Sequence, residues 1–339
     1  MTVPKADLVF PRRRASIAEV AEAAQVSSAT VSRVLNGLAS RASEETRQRV
    51  LAAAEKLQYR PNAAGKSLRT QRSEVVGLLI SNIQNSFYAA IAHEIEKQIN
   101  AMGGLMLLCN TNESAELQDK YLGELEAMNA SGVLMLCIVA SPKFKRFAAS
   151  NSVVLINRAL ADAPGLSFVG IDDYRAARDM AYAMLRGGGA GEIGVIHGPL
   201  HSHTSSERLR GLMDVFKLEG VRIPPEHVVG STLTMEGGYQ GANALLDTAS
   251  KFKAIFCGSD QIAYGAFRRC REHGIDVSRD LRLFGFDDNP LNEWLAPWLN
   301  TVRVPYRDMA TESLAQLKRL WAGEPPSTTM LPYELVQRT

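Results

Sequence analysis

Cysteine is scarce in this chain, with four in 339 residues at positions 109, 137, 257 and 270. No pair has Cys-x-x-Cys spacing, and three of the four lie in or beside apolar runs. A disulfide framework and a zinc site are both unsupported, and the thiols read as reduced core groups. Long apolar runs are also missing. The longest, 75–80 and 133–140, fall far short of the roughly 20 residues a bilayer span needs. Arg12-Arg13-Arg14 is followed by Glu19 and Glu22, not by the apolar stretch of a signal peptide. The expectation is a cytoplasmic chain with no membrane partner.

Catalytic signatures are lacking too. There is no His-Glu-x-x-His, no Gly-x-Ser-x-Gly, and no Ser/His/Asp set that spacing alone supports. Gly187-Gly188-Gly189-Ala190-Gly191 has neither Gly-x-Gly-x-x-Gly spacing nor a Walker Lys-Ser/Thr, and reads as a turn before a strand. His201-Ser202-His203 has no further Cys, His or carboxylate at helical spacing, so it reads as a polar loop at a cleft rim. Neither an enzyme nor a cofactor or metal site is expected.

Net charge is only +2, but it is unevenly spread. Through Arg72 there are 13 Lys/Arg against 6 Asp/Glu, a net +7, and the remainder carries 25 against 30, a net −5. A basic head on an acidic body points to a polyanion-binding module joined to a module with another task. With 46% hydrophobic and 22% charged residues, both can hold cores, and the length suits two or three domains.

Within the head, Ser16 precedes Ile17, Val20, Ala21 and Ala24, an N-cap followed by an i, i+3, i+4, i+7 apolar stripe. Gln25-Val26-Ser27 interrupts it. Ser27 caps a second helix with Val31, Val34 and Leu35 inward. Ser43-Glu44-Glu45 starts a third helix with Val50, Leu51, Ala54 and Leu57 inward. Three short helices with a three-residue turn between the first two have the layout of a DNA-binding helix-turn-helix. Ser28, Ala29, Ser32 and Arg33 then face outward: small residues that permit close approach, and an Arg able to reach guanine O6 and N7. Arg47, Arg49, Lys56 and Arg60 supply charge for phosphates.

From residue 75 onward, strand-like runs alternate with helical stretches. One series covers 75–81, 105–111, 133–139, 153–157 and 168–172, and another covers 193–197, 228–231, 254–258 and 281–286. The pattern predicts parallel sheets in two lobes, with a ligand beyond the carboxyl ends of the strands. Asn82, Asn85, Phe87 and Tyr88 follow the first run, Asn157-Arg158 the fourth, and Ser259-Asp260 one in the second lobe. Aromatics over a ring, with Arg, Asp and Asn on its polar edge, suit a small polar solute. Individually Phe87 and Tyr88 also read as core, Asp260 as a helix cap and Arg158 as a surface residue.

The run Val26-Ser27-Ser28-Ala29-Thr30-Val31-Ser32-Arg33-Val34-Leu35-Asn36-Gly37, then Ser43 to Val50, then Tyr59-Arg60-Pro61-Asn62, resembles the LacI/GalR family of bacterial transcriptional regulators. The resemblance continues through the body. It implies a fold of three-helix helix-turn-helix headpiece, hinge, and two-lobed periplasmic-binding-protein-like α/β effector domain. The implied boundaries are 15–60 for the headpiece, 61–73 for the hinge and 74–339 for the body. One lobe would hold about 74–162 and 291–321, the other about 163–290 and 322–339. Ser28, Ala29, Ser32, Arg33, Asn36 and Asn62 form the implied DNA-facing set. In this family the hinge helix forms on operator DNA, pairs with its twin, and inserts a Leu into the minor groove, and Leu68 matches. Gly65-Lys66 replaces the usual Ala-Arg, which lowers the hinge's own helical stability.

In the body, Ile83-Gln84-Asn85-Ser86-Phe87-Tyr88 is similar to the segment covering the effector in family members, with Ser86 where Pro is usual. The blocks 256–266 and 284–288 also match. The implied effector set is Asn85, Phe87, Tyr88, Arg158, Arg208, Asp260 and Asp288, with Arg208 either a ligand contact or structural. Gln25 stands where the turn usually has Gly, the loop 38–41 is one residue longer than typical, Leu233 falls where several members place an aromatic, and Val304 where sugar binders often place Gln. The implied function is a homodimeric repressor of a pseudo-palindromic double-stranded operator, controlled by a sugar or related effector bound between the lobes. The alternative is a small-molecule binding protein without operator binding.

Overall fold

The structure is a computed structural model, and it describes residues 15–35, 43–59, 74–158, 165–186, 192–248 and 250–338. The chain divides into two compact units, Met1–Ser73 and Glu74–Thr339. Among the described residues no helix is long and apolar enough to cross a membrane.

The first unit contains α1 (Ile17–Ala23), α2 (Ser28–Leu35) and α3 (Glu44–Lys56). Each starts on a serine whose hydroxyl accepts an otherwise orphaned helix N–H. Ser16 accepts from Glu19 and is answered by the Glu19 carboxylate, a capping box. Ser27 accepts from the Thr30 N–H and Ser43 from the Thr46 N–H, each at 3.2 Å. Val20, Ala21, Ala24, Val31, Val34, Val50, Ala53 and Ala54 close a small shared core. Leu51 was expected inward but is 44% exposed. The buried stripe of α3 runs Val50, Ala53, Ala54, Leu57, the spacing of one helix face, which turns Leu51 about 100° away from Val50. Between α1 and α2 the backbone reverses at Gln25, which sits in the left-handed region at φ 54°.

The second unit is built on two parallel sheets. The first comprises β1 (Val75–Ile80), β2 (Leu105–Asn110), β3 (Gly132–Met135), β4 (Val153–Ile156), β5 (Ser167–Gly170) and β11 (Thr328–Met330), in the order β11-β5-β4-β3-β1-β2. The second comprises β6 (Glu192–His197), β7 (Val228–Gly230), β8 (Phe252–Cys257) and β9 (Arg282–Phe284), in the order β7-β6-β8-β9. A short antiparallel pair, β10 (Thr301–Arg303) with β12 (Glu334–Val336), completes the set. The central strands β1, β3 and β4 read as unbroken apolar runs because both faces are covered. On β1, Val76, Leu78 and Ile80 meet α4 (Ser86–Ala101) and α12 (Tyr306–Trp321) through Ile91, Ile95, Leu314 and Leu317. Leu79 faces α5 (Ala115–Ala127) and α6 (Pro142–Ser150) through Leu122, Leu125, Phe144 and Phe147. In the second sheet, α7 (Asp173–Arg186) and α8 (His203–Leu218) cover Val195 and Phe256, while α9 (Met235–Leu246) and α10 (Asp260–Glu272) cover Ile196 and Ile255. A one-turn helix, α11 (Asn292–Leu295), follows β9.

The division between lobes differs from the sequence expectation at two places. Residues 163–290 and 322–339 were assigned to the second lobe, but β5 pairs with β4 and β11 pairs with β5 in the first sheet. Residues 167–170 extend the first sheet before the chain crosses over. The return segment at 328–330 is the sheet's edge, its register held by Thr328 opposite Phe168 and Met330 opposite Gly170.

Candidate nucleic-acid interface and effector cleft

In the headpiece unit, Ser28, Ala29 and Arg33 are exposed on α2 and Ser32 is half-buried, while Val31 and Val34 on the opposite side are buried. The small residues open the helix and the Arg follows one turn later. Arg33 lies along its own helix, Nε donating to the Ala29 carbonyl at 3.2 Å. Arg47, Arg49 and Lys56 of α3 are exposed, and Arg47 makes only a loose 3.7 Å pair with Glu44. Asn36, Arg60, Asn62 and Leu68 lie outside the described residues, as does the glycine run at 187–191.

In the second unit, the carboxyl ends of the strands carry the predicted effector positions in two groups. On the first lobe Asn85 caps α4, its side-chain oxygen accepting from the Phe87 N–H at 3.0 Å, so that side chain is committed to the backbone. Phe87 and Tyr88 are both buried in the main core, their rings 5.2 Å apart and edge-on, with Tyr306 5.8 Å from Phe87. Burial pushes the Tyr88 phenol above its ordinary value, opposed by the nearby Arg158 guanidinium. Arg158 is itself buried and pairs with Glu113 at 3.0 Å.

On the second lobe Arg208 is enclosed on every side. Its Nε donates to Asp173 at 2.7 Å, one terminal nitrogen donates to the Gly258 carbonyl at 2.9 Å, and the same nitrogen lies 3.6 Å from Asp287. Its plane rests 3.5 Å above the Phe286 ring. Burial pushes the Asp173 and Asp287 carboxyls up, and Arg208 pulls both back. Asp260 opens α10 but does not cap it; Ser259 does, its hydroxyl accepting from the Ile262 N–H. The Asp260 carboxylate accepts from the Asn289 N–H at 2.8 Å, the Asn292 amide at 2.7 Å and the Thr301 hydroxyl at 2.7 Å. Burial nevertheless lifts it to about 6, those three donors working in the opposite direction. Asp288 is clamped by Arg303 at 2.7 Å and Arg338 at 2.8 Å. Asp260 and Asp288 share Asn292, whose amide donates to both.

Among the described residues, two of the polar contacts between the lobes lie at the predicted cleft. Gln261, in the first turn of α10, donates to Ser86 at 2.8 Å. Glu113 reaches both Arg158 on its own lobe and His201 on the other, the latter at 3.6 Å. The predicted polar loop at 201–203 is shorter than expected, since α8 already begins at His203. Among the described residues no group of three or more metal-ligating side chains converges.

Residues 16–62 match the model for bacterial regulatory proteins of the lacI family, and residues 182–339 match a periplasmic binding protein-like domain. The chain is 30% identical over 329 residues to the HTH-type transcriptional regulator RegA of Clostridium saccharobutylicum, covering 95% of this chain and 98% of that one. The chain belongs to the LacI family. It is a DNA-binding transcriptional regulator with a periplasmic-binding-protein-like effector domain. Among solved structures, a LacI-family regulator from Silicibacter pomeroyi is 27% identical with a TM-score of 0.79, over 95% of this chain and 98% of that chain. The transcriptional regulator CelR in complex with cellobiose is 26% identical with a TM-score of 0.71, over 96% of this chain and 99% of that chain. These relatives are regulators of transcription, not enzymes.

Several side chains that meet at the strand ends of this LacI-family effector domain lie outside the predicted effector set. Asp173, Asp287, Glu113, His201 and Gln261 all make contacts between or beneath the strand ends. Asp287 carried a signal, being adjacent to Asp288 in a matched block, and its backbone is distinctive at φ 119°. Glu113 carried none, and His201 reads from the sequence only as part of a polar loop at the cleft rim, because their partnership depends on how two distant loops face each other.

Proposed function

We propose that this regulator is a homodimeric repressor whose hold on a pseudo-palindromic operator is set by a small polar effector, a sugar or sugar derivative, held between the lobes of residues 74–339. Ser28, Ala29, Ser32 and Arg33 read the major groove, with Asn36 and Asn62 beside them and Leu68 as the minor-groove wedge. The effector meets Asn85, Phe87, Tyr88 and Arg158 on one lobe and Arg208, Asp260 and Asp288 on the other. Of these, the geometry best supports Tyr88 and Arg158 as direct contacts, with Arg208, Asp260 and Asp288 fixing the backbone that meets the ligand.

The observation that carries the reading is the pair of interlobe contacts, Ser86 with Gln261 and Glu113 with His201. Two polar contacts at the rim give a closed arrangement that a solute with hydroxyl groups can strengthen or replace. The change in operator affinity cannot exceed the solute's preference for one lobe arrangement over the other. A disaccharide is bound by the similar CelR, which makes sugars the first class to test. For the dimer, exposed apolar groups supply the surface: Leu105 and Leu108 on the edge strand β2, and Trp294 and Leu295, which are 77% and 70% exposed, on α11.

A thermal-shift screen of metabolites, followed by gel shifts on the promoter of its own or a neighbouring gene, tests the reading. The expected result is one solute class that raises the melting temperature and changes operator affinity by at least about tenfold. A stabilising solute that leaves DNA binding unchanged would overturn the coupling. No preference for native promoters over random duplex would overturn the operator reading.

A further inference from the structure

Asn292, the first residue of the one-turn helix α11, is fully buried, and both ends of its amide are engaged. Nδ2 donates to the Asp260 carboxylate at 2.7 Å and to the Asp288 carboxylate at 3.2 Å, while Oδ1 accepts from the Tyr264 hydroxyl at 2.6 Å. An amide suits the place, because one end gives hydrogen bonds to two carboxylates as the other takes one from a hydroxyl. A carboxylate cannot do the first, nor an ammonium the second. Asp260 and Tyr264 both belong to the start of α10, so this single side chain fastens α11 to the opening turns of that helix.

The two helices face in different directions. Gln261, covalently next to Asp260, donates to Ser86 at the start of α4 in the first lobe. On α11, Trp294 and Leu295 are largely exposed. The turn that carries them is closed by the Leu295 N–H on the Leu291 carbonyl at 2.9 Å and the Ala296 N–H on the Asn292 carbonyl at 3.0 Å, so Asn292 and the exposed pair shift together. One peptide link and one hydrogen bond therefore stand between an interlobe contact and an exposed apolar surface.

We infer that Asn292 is a positioning residue that ties lobe closure to the pairing of protomers. With Gln261 bonded to Ser86, the first turn of α10 is held against the first lobe, and Asn292 then sets α11 in the orientation that a second copy of this chain meets. This role rests on the dimer proposed above, to which Trp294 and Leu295 contribute surface. Because coupling is reciprocal, pairing also favours the closed lobe arrangement, and the cleft of a dimer is better formed than that of a free protomer.

The test is subunit exchange between donor- and acceptor-labelled copies of the full chain, labelled at the N-terminus and followed by energy transfer. Ser86→Ala and Gln261→Ala remove the same interlobe bond from opposite lobes, and each should speed exchange by about fivefold, the worth of one hydrogen bond. In an Asn292→Ala background exchange is already fast, and adding Ser86→Ala should change it by less than about twofold, whereas a residue that only supports the fold would give additive effects. Tyr264→Phe keeps the ring and removes one bond to Asn292, so it serves as the background should Asn292→Ala fail to fold. Exchange unaltered by Ser86→Ala, or an undiminished Ser86→Ala effect in the folded background, overturns this role for Asn292 and leaves the dimer standing. Wild-type copies that show no energy transfer at any concentration overturn the dimer and this role with it.

Discussion

Arg33 illustrates how much a single side chain is asked to do. In the free protein its Nε is held by the Ala29 carbonyl, so reaching a base gives up one exposed hydrogen bond and gains a bidentate pair. Arg33→Ala should therefore cost about 1–3 kcal/mol on the preferred operator and relax the choice at one base pair, measured on a panel of single-base operator variants. Equal loss on every variant would make Arg33 a phosphate contact. Gln25 is the converse case, a residue whose type resists its backbone. Gln25→Gly at φ 54° should stabilise the helical head by about 1 kcal/mol, read as slower amide exchange at Val31 and Val50 in the full chain. Asp260 gives a pH signature. Its folded value is raised to about 6 from an ordinary 3.8, so the folded state binds the proton more tightly than the unfolded chain. Stability from this group is full below about pH 4 and is lost as pH rises through about 6, a span worth at most about 3 kcal/mol. Comparing unfolding free energies of the wild type and Asp260→Asn at pH 5 and pH 7 checks it, since the variant should lack that part of the slope. Position after strands pointed to Asp260 and Arg158, and the family resemblance pointed to Arg208. Neither could show that Asp260 and Asp288 converge on Asn292, because that contact needs a fold-level turn.

At the scale of elements, the nine strand-like runs became strands at their expected places, since a run covered on both faces must be apolar throughout. The three missed strands, β10, β11 and β12, are three residues each, too short for an alternating pattern to be recognised. Leu51 was misplaced for a related reason: in a helix with Ala52, Ala53 and Ala54 following, apolar residues surround the axis and the stripe is ambiguous. Helix contacts are sharper. Where α9 crosses α10, a Cβ on Gly265 would sit 1.8 Å from the Met235 carbonyl oxygen, and one on Gly238 would sit 2.0 Å from that of Ile262. Backbone cannot yield as a side-chain tip does. Gly265→Ala should destabilise the second unit by about 3 kcal/mol through overpacking, visible as a lower midpoint in urea with an unchanged slope.

For the molecule as a whole, charge is partitioned between a basic head and an acidic body, and DNA affinity should inherit that partition. Log affinity should fall linearly with log salt, and Arg47→Ala should flatten the slope by about one unit without altering base preference. A slope unchanged by that substitution would remove Arg47 from the phosphate-contacting set. Head and body were legible from the sequence because composition shifts between them, while the expected hinge at 61–73 lies outside the described residues. The exact division of the body into lobes was not legible, since β5 and β11 differ from second-lobe strands only in which neighbour they pair with.

The return of β11 to the first sheet also bears on how the chain is made. Everything from α7 through β9 is inserted between two adjacent strands of one sheet, and α12, which buries that sheet's apolar face, is translated after it. On the ribosome the first lobe must therefore wait, its hydrophobic flank bare, while well over a hundred residues of its neighbour emerge. A nascent chain arrested before residue 306 would be the species most dependent on chaperone capture.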